Sequence, residues 1–293
     1  MTKEETRKEL FDSDDEIAWC PGCGNFSILT AIKTALLELD KRPEQILMVS
    51  GIGQAAKLPH YIRTNVFNGL HGRALPPAVA AKIINPELTV IVHSGDGDSY
   101  GEGGNHFIHN IRRNVDIAHF VHDNRIYALT KGQASPTTDL GLVTGVQTKG
   151  NLDQPLNPLM LALAAGASFV ARGFSGRQEH LIYLMKEAIS HPGYALIDIL
   201  QPCVSFNKIN THSWYSERVY ELPEEYDSGD LSQAMEKVNE WGEEIPIGIF
   251  YRIEKPTFSD HLSWLKDRPP LVDRVWEPRD AVRFMKELEI DAL

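Results

Sequence analysis

The chain has 293 residues, above the roughly 100–200 of a typical domain, so it allows one large domain or one domain with an extension. With 42% hydrophobic and 24% charged residues it has an ordinary globular composition, which excludes a disordered chain, a collagen-like one and a disulfide miniprotein. A net charge of −11 argues against a broad nucleic-acid surface or an anionic membrane face, leaving room for a local basic pocket.

The longest apolar run, 159–170, contains Gly166 and Ser168 and is shorter than the roughly 20 residues of a bilayer span. Residues 1–5 run straight into acidic positions with no apolar stretch, so neither a membrane segment nor a secretory leader is expected, and the expected location is cytoplasmic. Three cysteines, two of them in Cys20-Pro21-Gly22-Cys23, fit metal or redox duty in a reducing compartment better than a disulfide framework.

In chain order, Phe26, Leu29, Ile32, Leu36 and Leu39 recur at helical spacing, predicting a helix over 25–39 that Arg42-Pro43 ends. The run 46–49, stopped by Gly51 and Gly53, reads as a strand buried on both faces. A polar, irregular stretch (54–73) follows, then a helix (75–84), a strand (88–92), a helix (107–111) and a strand (115–121). From 129 to about 155 the chain is rich in Gly, Ser, Thr and Pro; a loop of that length in a compact domain is usually functional. Helix and strand signals resume at 156–165, 168–171, 178–190 and 194–200, so the expected class is α/β, a mostly parallel sheet with helices on both faces. After Ser205 the periodicity weakens, with candidate helices at 231–241 and 279–288, as for an extension that wraps the domain or a partner.

Gly95-Asp96-Gly97-Asp98 directly follows the strand 88–92, at the carboxyl end where open α/β sheets bind ligands. Small residues let main-chain N–H groups approach an anion, and a carboxylate there holds a divalent cation against it; alone, the motif equally describes a turn in which Asp96 caps a helix. Asp123-Asn124-Arg125-Ile126-Tyr127 ends the strand 115–121, one β-α-β span of about 30 residues further on. Adjacent parallel strands would bring Asp96 and Asn124 to one sheet edge, and magnesium accepts one or two protein oxygens beside phosphates and water. The pair resembles the diphosphate motif of thiamine diphosphate enzymes. On that resemblance Asp96, Asn124 and the Ile126 carbonyl are the magnesium ligands, with Gly53, Gly95, Gly97, Asp98 and His71 around the cofactor. The usual Asn pair is here Asp123-Asn124.

Cys-x-x-Cys on its own reads as part of a zinc site or as a redox dithiol. Beside the Gly-Asp-Gly segment it gains a third meaning. Trp19-Cys20-Pro21-Gly22-Cys23-Gly24, Gly51-Ile52-Gly53, His71-Gly72-Arg73, Gly95-Asp96-Gly97-Asp98, Leu129-Thr130-Lys131-Gly132-Gln133-Ala134-Ser135-Pro136-Thr137 and Gln201-Pro202-Cys203-Val204 occur in order over about two thirds of the chain. Together they resemble the β subunit of 2-oxoacid:ferredoxin oxidoreductases, and the Thr-Lys-Gly-Gln segment resembles the 2-oxoglutarate branch.

The resemblance implies a thiamine-diphosphate-binding fold of the diphosphate type over 1–204, an extension over 205–293, and an iron–sulfur cluster, of the four-iron kind, on Cys20, Cys23 and Cys203. It further implies coenzyme A as co-substrate, a 2-oxoacid, ferredoxin as electron acceptor, and an α subunit that bears the pyrimidine-binding domain, assembled as a dimer of α-β pairs. Many relatives carry a fourth cysteine just after Gly-Ile-Gly; this chain has Gln54, which leaves a non-thiolate group, a partner chain, a three-iron cluster or no cluster as the alternatives, with Gln54 and His60 the local candidates for the first. His71 and Arg73 are candidates for diphosphate or substrate carboxylate, and Lys131 for a dicarboxylate substrate or a mobile loop. Trp214, Tyr215 and Tyr220 read as packing or interface. The alternatives are a pyruvate or branched-chain 2-oxoacid enzyme, a non-redox thiamine lyase, and a zinc-binding interaction module.

Overall fold

The computed structural model describes residues 9–262, 269–275, 281–282 and 285–286. Its frame is an eight-stranded sheet in the order β2-β1-β3-β4-β6-β5-β8-β7. The strands are β1 (Ile46–Ser50), β2 (Asn65–Asn68), β3 (Thr89–Gly95), β4 (Ile117–Asp123), β5 (Phe169–Phe174), β6 (Tyr194–Leu200), β7 (Val219–Glu221) and β8 (Ile245–Arg252). β1 to β6 pair in parallel. β8 runs antiparallel to β5, with β7 parallel to it at the far edge. The helices are α1 (Asn25–Glu38), α2 (Leu75–Ile84), α3 (Gly104–Arg113), α4 (Pro158–Ala164), α5 (Gln178–Ser190), α6 (His212–Ser216) and α7 (Leu231–Lys237).

Successive side chains of a strand point to opposite faces, and the two cores divide along that alternation. Ile91, Phe120, Ile197 and Ile199 pack with α1 and α5 on one face. Val90, Val92, Val121 and Leu196 pack with α2, α3, α4 and α7 on the other. A sheet covered on both faces buries its central strands whole, and β4 and β6 are buried from end to end although β4 carries His119, His122 and Asp123 and β6 carries Asp198.

The expected strands and helices up to β6 are present, and 75–84, 178–190 and 194–200 carry the expected bounds. Three stretches differ. Residues 54–73 are not irregular throughout: they hold a 3-10 turn, Ala55–Tyr61, and the edge strand β2, whose side chains are exposed. The helix expected at 107–111 runs from Gly104 to Arg113 and stops where Asn114 adopts φ 51°, the left-handed conformation that ends helices. Residues 245–252 form β8 inside the sheet, where Pro246, Gly248 and a bulge opposite Val170/Ala171 obscure the strand pattern. Of the candidate helix 279–288 only residues 281–282 and 285–286 are described. Tyr215 is buried against Phe174, and Trp214 stacks at a tilt on Trp241. Among the described residues no helix is long and apolar enough to cross a membrane.

Candidate cofactor and cluster site

Four adjacent strands, β1, β3, β4 and β6, end along one edge of the sheet, and each hands the chain directly to a motif. Gly51-Ile52-Gly53 follows β1, Asp96 follows β3, Asn124 follows β4 and Gln201-Pro202-Cys203 follows β6. Gly95 pairs with His122 in register, so the carboxyl ends of β3 and β4 lie side by side.

Asp96 is 2% exposed. Its Oδ2 accepts hydrogen bonds from Ser135 and, at 2.7 Å, from Thr137. Thr137 Oγ1 also lies 2.8 Å from Asp123 Oδ1. A hydroxyl carries one proton, so the second contact needs a proton held by one of the two carboxyls. Burial, and then the Asp123 charge, push the Asp96 carboxyl up to about 7. A buried carboxylate short of compensating charge fits a divalent cation, whose binding would displace that proton.

Asn124 Oδ1 accepts from the Ile126 main-chain N–H at 3.0 Å, and the Asn124 carbonyl accepts from Asn207. Arg125 between them has φ 61°, a left-handed conformation uncommon for a side-chain-bearing residue. The strain is anchored from behind: the Arg125 guanidinium pairs with Asp139 at 2.6 Å and lies 4.4 Å from the Trp241 ring centroid. Asp123, the departure from the usual Asn pair, is buried behind the turn, bonded to Thr137 and to the Arg125 N–H.

Asp98 Oδ1 gathers the N–H groups of Ile52 and Gly72 and the His71 ring. It ties together the loops after β1, before α2 and after β3. Burial raises its carboxyl above the usual range, against the hydrogen bonds of Gly72, His71 and Ile52. Gly72 has no room for a side chain, since a Cβ there would lie 2.4 Å from the Glu102 carbonyl carbon.

A cleft opens above these loops, lined by Ile52, Gly53, Gln54, Ala55, His71, Gly95, Gly97, Asp98, Asn124 and the segment from Ile126 to Thr130. A Cβ at Gly53 or Gly95 would meet nothing within 4 Å, so two half-buried main-chain segments face open space, as a cradle for an anionic group requires. His71 lines this cleft, whereas Arg73 and Lys131 do not. The Arg73 guanidinium rests on His106 of α3, and Lys131 is exposed with φ 77°.

Cys20, Cys23 and Cys203 line a second cleft together with Trp19, Asn25, Gln54, Asn124, Ala128 and Gln201. All three thiols are free. Ser205 donates to Cys20 Sγ at 3.2 Å and Gln201 Nε2 to Cys23 Sγ at 3.5 Å. Burial raises the Cys23 thiol above its ordinary value, and the charges of Cys203 and Cys20 add to the rise. Among the described residues no group of three His, Cys, Asp or Glu side chains is disposed to hold a single metal ion. A cluster makes a different demand, since each thiolate binds its own iron. His60 is exposed and outside this cleft.

The two clefts share Gln54, Asn124 and Ala128 as a common wall. Residue-by-residue reading of the sequence passed over Ser135, Thr137 and Asn207, which fix Asp96 and the Asn124 turn. The only signal for the first two was their place in the resembling Thr-Lys-Gly-Gln segment.

Residues 48–199 match the thiamine pyrophosphate enzyme C-terminal TPP-binding domain family, and residues 203–267 match the family formed by the C-terminal part of the pyruvate ferredoxin oxidoreductase beta subunit. The chain is 48% identical over 250 residues to a 2-oxoacid:ferredoxin oxidoreductase subunit beta of Saccharolobus solfataricus, covering 80% of this chain and 82% of the relative. It is 34% identical over 252 residues to a 2-oxoglutarate synthase subunit KorB of Methanocaldococcus jannaschii, covering 85% and 93%. Among solved structures, a chain of the 2-oxoglutarate:ferredoxin oxidoreductase from Magnetococcus marinus, with 2-oxoglutarate, coenzyme A and succinyl-CoA bound, superposes with a TM-score of 0.88. Sequence identity is 34%, over 95% of each chain.

Proposed function

The chain belongs to the β subunits of the 2-oxoacid:ferredoxin oxidoreductases, and from that premise we propose that it serves a 2-oxoglutarate:ferredoxin oxidoreductase. The reaction would be coenzyme A-dependent oxidative decarboxylation of 2-oxoglutarate, or the reverse reductive carboxylation that fixes CO₂, with electrons exchanged with ferredoxin. The observation that carries the reading is the common wall of Gln54, Asn124 and Ala128, which puts a three-thiol cleft against a Gly-Asp-Gly cleft. A thiamine lyase without redox chemistry has no use for the thiol cleft.

In this reading Asp96, Asn124 and the Ile126 carbonyl hold magnesium, and Gly53, Gly95, Gly97 and His71 surround the diphosphate. Asp98 positions His71 and the two glycine loops. Cys20, Cys23 and Cys203 hold the iron–sulfur cluster. Thiamine diphosphate, when bound, supplies the carbon centre that makes loss of CO₂ from a 2-oxoacid feasible. The chain's own share would be to fix the diphosphate end, to present Asp96 as a buried carboxyl whose proton the cation displaces, and to hold the cluster in the neighbouring cleft across the shared wall.

The carboxylate that protonates the aminopyrimidine ring belongs to the α subunit, so the chain works only as part of an assembly, a dimer of α-β pairs in the cytoplasm. Arg73 and Lys131, exposed beside the cleft, are available to a substrate carboxylate or to that partner. Residues 1–204 would form the cofactor and cluster unit, with 205–293 an extension whose β7 and β8 lengthen the same sheet.

The test is anaerobic co-purification with the α subunit, assay of iron, sulfide and thiamine diphosphate, and comparison of 2-oxoglutarate with pyruvate as electron donor. Acceptor reduction with 2-oxoglutarate is expected. Reduction by pyruvate alone would move the assignment to the pyruvate branch, and cofactor without iron or sulfide would favour the lyase.

A further inference from the structure

Three thiols leave one position of a four-iron cluster without a thiolate. Two carboxamide oxygens in the same cleft, Gln54 Oε1 and Gln201 Oε1, are buried and have no hydrogen-bond partner. They are not equivalent. The Gln201 amide is held on both Cys23 Sγ and the Pro202 carbonyl through Nε2. The Gln54 side chain makes no hydrogen bond among the described residues, while its main chain is fixed by the Trp19 indole N–H, which donates to its carbonyl at 2.9 Å. The backbone of residue 54 is therefore pinned beside Cys20, and its side-chain oxygen is left without work. A buried acceptor in that state costs free energy unless something fills it.

We infer that Gln54 supplies the fourth ligand position of the cluster through its side-chain oxygen, which makes one iron distinct from the other three and easily lost. The inference rests on the iron–sulfur reading above. An amide oxygen is a harder and weaker donor to iron than a thiolate, so the iron it holds should be the one that leaves. The loss balances. Ferricyanide takes one electron from a [4Fe–4S]²⁺ cluster and becomes ferrocyanide, the cluster passes to [4Fe–4S]³⁺, and that form releases Fe²⁺ to leave [3Fe–4S]⁺.

The experiment uses the anaerobic α-β complex and reads iron release and the EPR spectrum after limited ferricyanide. Wild-type protein should release about one iron per cluster and show the signal of an oxidised three-iron cluster. Gln54→Cys should keep its fourth iron, Gln54→Glu should hold it more firmly than wild type, and Gln54→Ala should lose it fastest. Co-elution of each variant as the intact α-β complex with an unchanged far-UV circular dichroism spectrum serves as the check that it is folded. A merely structural glutamine would give no such order of retention with donor strength. A four-iron cluster that resists ferricyanide and is indifferent to residue 54 would overturn the inference while leaving the iron–sulfur reading intact. So would iron loss that follows Gln201→Leu rather than changes at residue 54. Wild-type complex with no iron or sulfide at all would remove both.

Discussion

His71 and Asp98 are locked together: the imidazole Nδ1 donates to Asp98 Oδ1 across 2.6 Å, and the same oxygen accepts main-chain N–H groups from Gly72 at 2.7 Å and Ile52 at 3.1 Å. One carboxylate oxygen thus joins three loops that the sequence keeps up to 46 positions apart. Asp98→Ala should leave two N–H groups without an acceptor and lower stability by about 2–4 kcal/mol, with Asp98→Asn costing less because an acceptor remains. Urea denaturation measures the first effect. Thiamine diphosphate affinity should fall at least about tenfold in Asp98→Ala as the loops loosen; unchanged affinity would show that the loops hold their shape without it.

Asp96 offers a sharper separation of folding from binding. Its carboxyl is raised to about 7 by burial and by Asp123, so an uncharged isostere removes a repulsion in the cation-free protein. Asp96→Asn should therefore keep or slightly raise the stability of the cation-free chain while abolishing magnesium and cofactor retention. In the wild type the bound cation must displace a proton below about pH 7, so magnesium affinity should fall on acidification by up to about tenfold per pH unit. Calorimetric titration in buffers of different ionisation enthalpy reads the proton release directly. Equal heats in all buffers would contradict the assignment of the ligand.

His119 is buried, bonded to Ser94 and Tyr194, and desolvation lowers its pKa to about 3. The unfolded chain gains a proton at this residue near pH 6.5, whereas the folded chain does not until about pH 3. A lowered histidine therefore stabilises least in acid, and stability is lost as pH falls from about 6.5 towards 3. Raised carboxyls such as Asp96 act in the opposite sense, so the comparison must be with a variant. His119→Gln should be less stable than wild type at pH 7.5, and the gap should shrink by up to about 1.4 kcal/mol for each pH unit below 6.5. A gap that stays constant from pH 7.5 to 5 would mean that His119 is protonated in the folded protein.

Cys203→Ser tests the independence of the two clefts. Cys203 lines the thiol cleft and is absent from the cofactor cleft. Iron and the visible absorbance of a cluster should be lost, thiamine diphosphate should remain bound, and electron delivery to ferredoxin should stop. Loss of the cofactor together with the iron would place Cys203 in the framework of both.

The placement of the candidate site was legible wherever a motif directly follows a strand. The apolar run of β3 points to Gly95–Asp98, β4 points to Asn124, and β6 points to Cys203, because the end of a parallel strand fixes where the next residue emerges. The partners that hold those residues were not legible. Ser135 and Thr137 reach Asp96 from 39 and 41 positions away, along a loop whose path no periodicity records. β8 escaped for a local reason: Gly248, at φ 143°, and Pro246 mimic loop punctuation inside a strand that belongs to the sheet. β2 escaped because an exposed edge strand has no buried face to impose alternation.

The party wall of Gln54, Asn124 and Ala128 has a thermodynamic corollary. An occupant of one chamber would touch residues that also bound the other, which gives the two occupancies a direct route for energetic linkage. Linkage would then work in both directions: if loading thiamine diphosphate shifted the midpoint potential of an iron–sulfur cluster in the thiol cleft, the oxidation state of that cluster would shift the cofactor's affinity by the equivalent free energy.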